Sequence, residues 1–220
     1  DLHSFPTRRS SDLPTANNRR GGHASTPREI SERAAWAHDW GLDVHIDGAR
    51  LFNAAVALGV KPADLVRDAD SVQICLSKGL GAPMGSLVCA SRAFVERARF
   101  WRKRLGGGLR QVGIVAAAGL YALRHNIERL AEDHENARKI ASILADAGLD
   151  VFMAARPTNM VYFRAKDVPS ADRILEFCRR ERVVFNKSAP DTFRLVTHLD
   201  VSAEAALEAA SIIARAARSA

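Results

Sequence analysis

Read for apolar spacing, the chain becomes regular from Thr26 onwards. TPRE offers a helix start, with Thr26 as N-cap, Pro27 in the first turn and Glu29 closing a capping box. That helix carries Ile30, Ala34 and Trp36 and is expected to end near Gly41. LDVHI, residues 42 to 46, reads as a short strand followed by DGAR. RLFNAAVALG then reads as a helix with Gly59 as its stop. SVQICL is a second strand with Lys78 just past its end, and GSLVCA is a third. Ser91 is placed to cap a helix reaching about Arg104. The glycines at 106 to 108 break it, LRQVGIVAAAGLYALRHN starts another, and IERLAEDHENARKIASILADAG makes a long amphipathic one. Strands alternating with helices predict an α/β fold with a largely parallel sheet and helices on its faces.

Past Gly148 the texture changes. VFMA, NMVYFRA, RVVF and TFRLVTHL are short strand candidates, separated by helices at ADRILEFCRR and SAEAALEAASIIARAA. This predicts a large domain over residues 14–148 and a small C-terminal α+β domain over 149–220, with the long helix as connector.

The opening DLHSFPTRRSSDL is polar and fits no helix or strand period, and it lacks the apolar stretch of a secretory signal. One reading frame of a common short-read sequencing adapter translates to these residues in order. Residues 1–13 are therefore expected to be non-native, and the chain to be an N-terminally truncated fragment whose own sequence starts near Pro14.

Composition narrows the class. At 220 residues, with 47% hydrophobic and 26% charged residues, the chain has the balance of an ordinary soluble globular protein. No apolar run approaches the roughly 20 residues of a membrane span. Cys75, Cys89 and Cys178 are odd in number and scattered, which favours a reducing cytoplasmic setting without a disulfide framework. The net charge of +7 raises the question of nucleic acid. Its densest source is Arg97, Arg99, Arg102, Lys103 and Arg104, then Arg110. A solvated helix face is the commoner meaning of such a run, and no interleaving of aromatics with bases is read in it. No nucleic-acid partner is expected, and no metal, since HDW and DHE lack metal-helix spacing.

In open α/β sheets ligands gather beyond the carboxyl ends of the strands. Asp47 follows LDVHI and Lys78 follows SVQICLS, so a carboxylate and an amine are expected at one crevice. The pair suits pyridoxal 5'-phosphate, where a lysine forms a Schiff base and a carboxylate holds the pyridine nitrogen protonated. Spacing alone equally allows a structural salt bridge.

HIDGARLFNAAVALG, CLSKGLGAPMGS, WRKRLGGGLRQVGIVAAAGLYAL and RLVTHLDVS together resemble the low-specificity L-threonine aldolases. The likeness runs in order from about Arg19 to the C-terminus. These are pyridoxal-phosphate enzymes of the aspartate aminotransferase-like (type I) fold. The resemblance implies a partial large domain of that fold and a homodimer or homotetramer with shared sites. It implies retro-aldol cleavage of L-threonine or L-allo-threonine, an amino-acid substrate, to glycine and an aldehyde. Lys78 would carry the cofactor, and a lysine buried and desolvated beside the ring is a usable nucleophile and base. Asp47 would pair with the ring nitrogen. Arg50 would face the substrate carboxylate or a cofactor oxygen, and Arg194 would clamp that carboxylate through two parallel bonds. Lys103 and Arg110 match basic positions flanking the GGG loop, Arg110 reaching the cofactor phosphate of a neighbouring subunit.

Ser77 is read either as a phosphate donor or as a strand-end hydroxyl bonding its own backbone. His45 is read as structural, His198 as packed near the arginine clamp, and Cys75 as a small core residue. The family's chains extend further upstream, where the phosphate loop and the ring-stacking residue lie. The fragment alone is therefore expected to be inactive, with a sheet edge and an apolar face exposed. The alternatives are another type I enzyme, a β-eliminating lyase or an aminotransferase, and a non-catalytic basic module that binds nucleic acid.

Overall fold

The computed structural model describes residues 10–17 and 22–219. The chain divides into two compact units, one around Ser25–Glu128 and one from Arg129 onwards. Three short strands come first: β1 (Ser10–Pro14), β2 (Ala16–Asn17) and β3 (His23–Ala24), of which β2 and β3 form a small separate sheet.

The first unit continues with α1 (Pro27–Asp39), β4 (Asp43–Gly48), α2 (Leu51–Leu58), α3 (Pro62–Leu65), β5 (Ser71–Cys75), β6 (Ser86–Ala90), α4 (Arg92–Arg104) and α5 (Gly113–His125). Its sheet has the order β1-β4-β5-β6. β1, β4 and β5 run parallel, and β6 is antiparallel to β5. The expected mostly parallel sheet is present. Thr26 and Glu29 form the complete capping box, the Glu29 carboxylate accepting from the Thr26 N–H at 2.8 Å. The buried side of α1 is Ile30, Ala34 and Ala37, and this helix packs on β4. Along β4 the pleat alternates as two-residue periodicity requires. Val44, Ile46 and Gly48 are buried, whereas Asp43 and Asp47 are exposed and His45 is half-buried.

The opening segment departs from expectation. Ser10–Pro14 pairs with β4 from Ser10 opposite Asp43 to Pro14 opposite Asp47, although no strand period is legible there. Parallel pairing draws its bonds from the backbone, so a strand can add to a sheet without alternating side chains. Residues 1–9 lie outside the described residues.

The second unit contains α6 (Leu130–Asp146), β7 (Asp150–Phe152), β8 (Met160–Arg164), α7 (Val168–Arg180), β9 (Asn186–Ala189), β10 (Thr192–Val196) and α8 (Ala203–Ser219). Its sheet is antiparallel, in the order β7-β8-β10-β9. Val161, Phe163 and Phe193 meet Ile140 and Leu144 of α6, Ile174 and Cys178 of α7, and Ala210 and Ile213 of α8. The rings of Phe163 and Phe193 stack with centroids 4.7 Å apart. The long helix α6 thus belongs to this unit, because its apolar stripe is buried in this core. One strand expectation fails. RVVF is not a strand; Arg182 takes a left-handed φ of 64°, and the Val183 N–H bonds the Cys178 carbonyl at 2.8 Å to close α7. The edge strand forms one step later, at Asn186–Ala189.

His134 is buried on α6, and burial, with a smaller push from the Arg138 charge, lowers its imidazole from 6.5 to about 4. A folded-state pKa below the unfolded one means that stability is complete above pH 6.5 and falls as pH drops towards 4. The loss attributable to this group is at most about 3 kcal/mol. Urea unfolding at pH 7 and pH 4.5 should show this loss in the wild type, and His134→Gln should flatten that part of the slope.

Candidate active site

The register of β4 and β5 builds the first unit's site. His45 lies opposite Ser71, Asp47 opposite Gln73 and Gly48 opposite Ile74. In a parallel pair, facing residues share a side of the sheet, so His45, Asp47, Ser71 and Gln73 form one polar face. His45 Nδ1 lies 2.8 Å from the Ser71 hydroxyl, consistent with its structural reading. Both strands end on the same sheet edge, where Asp47 closes β4 and Lys78 follows β5 by three residues. Asp47 thus lies near the end of β4, and Lys78 lies on the loop that follows the adjacent parallel strand β5.

Gly48 allows that closeness. A Cβ there would sit 2.7 Å from the Gln73 carbonyl oxygen and 2.9 Å from Val72 Cγ2. The glycine of DGAR therefore serves strand packing, with Asp47 directly beside it. The Asp47 carbonyl accepts from the Thr15 N–H at 3.2 Å and from the Thr15 hydroxyl at 3.4 Å. Its side chain is exposed, and Oδ1 accepts from the Ala49 N–H at 3.0 Å. That local bond turns the carboxylate over the start of α2, where Arg50 is the half-buried N-cap residue.

Lys78 sits on a pinned loop. The Leu76 N–H bonds the Gly85 carbonyl at 3.0 Å, the Ala82 N–H bonds the Leu76 carbonyl at 3.0 Å, and the Gly81 N–H bonds the Lys78 carbonyl at 2.8 Å. Gly81 and Gly85 supply φ values of 73° and 118°, which side-chain-bearing residues rarely adopt. Leu76 and Leu80 are buried anchors, and Asn126 donates to the Leu80 carbonyl at 2.7 Å. Between these anchors Ser77 and Lys78 are exposed. Lys78 is thus displayed rather than buried in this chain, contrary to the expectation of a desolvated amine. Cys75 also differs from expectation, being half-buried with its sulfur 3.5 Å from the Ser77 hydroxyl. Burial pushes its thiol up, but bonds from Ser77, the Lys78 charge and Ser86 together hold it below its ordinary value.

Lys103 and Arg110 flank the glycine turn and are both exposed. The Gly107 N–H bonds the Arg102 carbonyl at 2.8 Å. A Cβ on Gly108 would meet Lys103 Cδ at 2.7 Å, so the turn folds back along the Lys103 stem. Aromatics do lie among these cations, contrary to the sequence reading: the Arg104 guanidinium stands 4.4 Å from the Phe100 ring centroid, and Phe100 and Trp101 meet edge to face. Helix α4 has no buried residue. With α5 and the connection between them it exposes Phe100, Trp101, Leu105, Leu109, Ile114 and Tyr121.

In the second unit, Arg194 is exposed at the middle of β10, opposite Tyr162 on β8 and Asn186 on β9. Its guanidinium has no ion-pair partner among the described residues. His198 is half-exposed with Nδ1 3.3 Å from an Asp200 carboxylate oxygen, less packed than expected. Sequence reasoning misses Thr15 and Gln73, because neither stands in a recognisable motif; only strand pairing brings them to Asp47. No group of His, Cys, Asp and Glu among the described residues is placed to hold a metal. No helix among them is long and apolar enough to cross a membrane.

The beta-eliminating lyase family model matches residues 9–166. The chain belongs to the beta-eliminating lyase family. Among its relatives, the low specificity L-threonine aldolase of Escherichia coli (strain K12) is 46% identical over 186 residues, covering 84% of this chain and 54% of that protein. The low-specificity L-threonine aldolase 1 of Arabidopsis thaliana is 38% identical over 201 residues, covering 90% of this chain and 56% of that protein. The chain thus spans about half the length of the curated relatives it matches. The solved threonine aldolase of Leishmania major superposes with a TM-score of 0.75 at 17% identity, covering 94% of this chain and 60% of that one, which shows a shared fold.

The strand contact at Gly48 carries a direct test. Gly48→Ala forces β4 and β5 apart beside Asp47 and should cost about 1–3 kcal/mol through overpacking. Urea unfolding of the chain should record that loss, and an unchanged midpoint would show that the two strands yield freely there.

Proposed function

We propose that this chain carries the cofactor-holding lysine and carboxylate of a low-specificity L-threonine aldolase. The reading is supported above all by the placement of Asp47 and Lys78 at one edge of adjacent parallel strands. The residues fit pyridoxal phosphate. An exposed amine on a pinned loop suits covalent attachment to an aldehyde. A carboxylate with one oxygen held by the Ala49 N–H can present the other to a protonated ring nitrogen. When bound, pyridoxal phosphate supplies an electron sink for the bond that breaks.

The chain's own residues have separate tasks in this reading. Lys78 would hold the cofactor through its amine, and that amine, when not so engaged, could move protons. Asp47 keeps a proton on the ring nitrogen. Arg50 faces the substrate carboxylate or a cofactor oxygen; in the second unit the role of Arg194 as a carboxylate ligand is supported by its exposure on β10. Ser77, Lys103 and Arg110 contribute hydrogen bonds or positive charge to the cofactor phosphate. The substrate is a 2-amino-3-hydroxy acid, cleaved between Cα and Cβ to glycine and an aldehyde, which is acetaldehyde for threonine. A reducing, cytoplasmic setting accords with the free thiols of Cys75, Cys89 and Cys178.

Self-association belongs to the same reading. The exposed apolar residues of α4, α5 and their connection exceed what isolated surface positions explain, and they lie along the segment that bears Lys103 and Arg110. A second copy covering this face would bring Arg110 to a shared site.

Titration of the chain with pyridoxal phosphate should give the visible absorption of a Schiff base, and Lys78→Ala should abolish it. Asp47→Asn should weaken binding by roughly tenfold to a hundredfold, the scale of one lost charge-assisted hydrogen bond. In the whole enzyme, glycine should form from threonine without an added keto acid; a requirement for keto acid would point to an aminotransferase instead.

A further inference from the structure

The second unit contains a buried polar cluster for which the proposed chemistry has no direct use. On the first turns of α6, Asp133 is fully buried and grips the Arg129 guanidinium at 2.7 and 3.3 Å. The backbone carbonyl of the same Asp133 accepts a hydrogen bond from the Thr197 hydroxyl at 2.6 Å. Thr197 also donates its N–H to the Asn159 carbonyl at 3.1 Å, while Asn159 Nδ2 donates back to the Thr197 carbonyl at 2.7 Å. Thr197 and Asn159 are both buried. The end of β10 is thereby tied to α6 and to the residue that precedes β8.

Strand pairing shows why that tie matters. β8 pairs with β10 along its whole length, from Thr192 to Val196. On the other side β9 pairs only with Thr192, Phe193 and Arg194, and its register slips between the first two. Beyond Arg194 the strand has lost one neighbour. The turn that follows is closed locally, by the Val201 N–H to the His198 carbonyl at 3.0 Å and by the Asp200 N–H to His198 Nδ1 at 3.3 Å. Thr197 is the point at which this stretch, held by β8 alone, gains a second attachment, to α6.

We infer that Thr197 is a positioning residue: its hydroxyl, anchored on the Asp133 carbonyl, fixes the course of β10 past Arg194 and so aims the guanidinium at a substrate carboxylate. This rests on the proposed role of Arg194. The Arg129–Asp133 pair holds the first turns of α6 in place, which gives the Thr197 hydroxyl a fixed acceptor. A packing role alone would be met equally well by valine, which has the same shape without the hydroxyl.

The test uses the chain in three forms, wild type, Thr197→Val and Thr197→Ser, with two readouts. Amide hydrogen exchange follows residues 194–198, and the Arg194 side-chain N–H resonance is followed while glycine, as the probe, is titrated in. Thr197→Val should speed exchange across residues 194–198 by about five- to tenfold and weaken the glycine response by a similar factor, the scale of one hydrogen bond. Thr197→Ser should restore both. Unchanged exchange and glycine response in Thr197→Val would overturn the inference while leaving the proposed function intact. Faster exchange in that variant with no glycine response in the wild type would overturn the carboxylate role of Arg194, and the positioning claim with it.

Discussion

The close parallel pairing of β4 with β5 governs the geometry of the first unit. Gly48 lets the two backbones meet where any side chain would strike the Gln73 carbonyl. Asp47 precedes that contact, and Lys78 follows the partner strand. Each is then secured by hydrogen bonds: Asp47 by Thr15 and Ala49, and the Lys78 loop by Leu76, Gly81 and Asn126. The backbone segments that carry Asp47 and Lys78 are thus held at the same end of adjacent strands by hydrogen bonds.

Much of this was legible in the residues. The capping box at Thr26, the left-handed stop at Gly59 and the Ser91 cap are local signals, and each forms as its chemistry requires. Asp47 and Lys78 were legible because strand ends and their flanking glycines are written locally. What was not legible depends on pairing at a distance. β1 has no alternation to reveal it, and its place is set by the backbone of β4. The exposure of Lys78 depends on what surrounds its loop, which no spacing encodes. RVVF has the composition of a strand, yet the closure of α7 by Arg182 and Val183 takes those residues for a turn.

The second unit follows a different logic. Its antiparallel sheet is held by a phenylalanine cluster on one face, and its helices include α6, whose apolar stripe needs this core. The buried polar residues of α6 and of the strand ends are not spread through that core. Asp133, Asn159 and Thr197 bond one another where β10 loses its outer neighbour, just beyond Arg194. Buried polar groups are costly unless bonded, so such a gathering marks a place where direction matters more than apolar burial.

The central claim is that Lys78 is the amine placed to hold pyridoxal phosphate, with Asp47 beside it. The most direct measurement is borohydride reduction of the chain mixed with pyridoxal phosphate, followed by peptide mapping of the adduct. The account predicts a single dominant phosphopyridoxyl modification on Lys78, much reduced by Asp47→Asn. Modification spread evenly over the other lysines, with Lys78 no more reactive than they are, would contradict it.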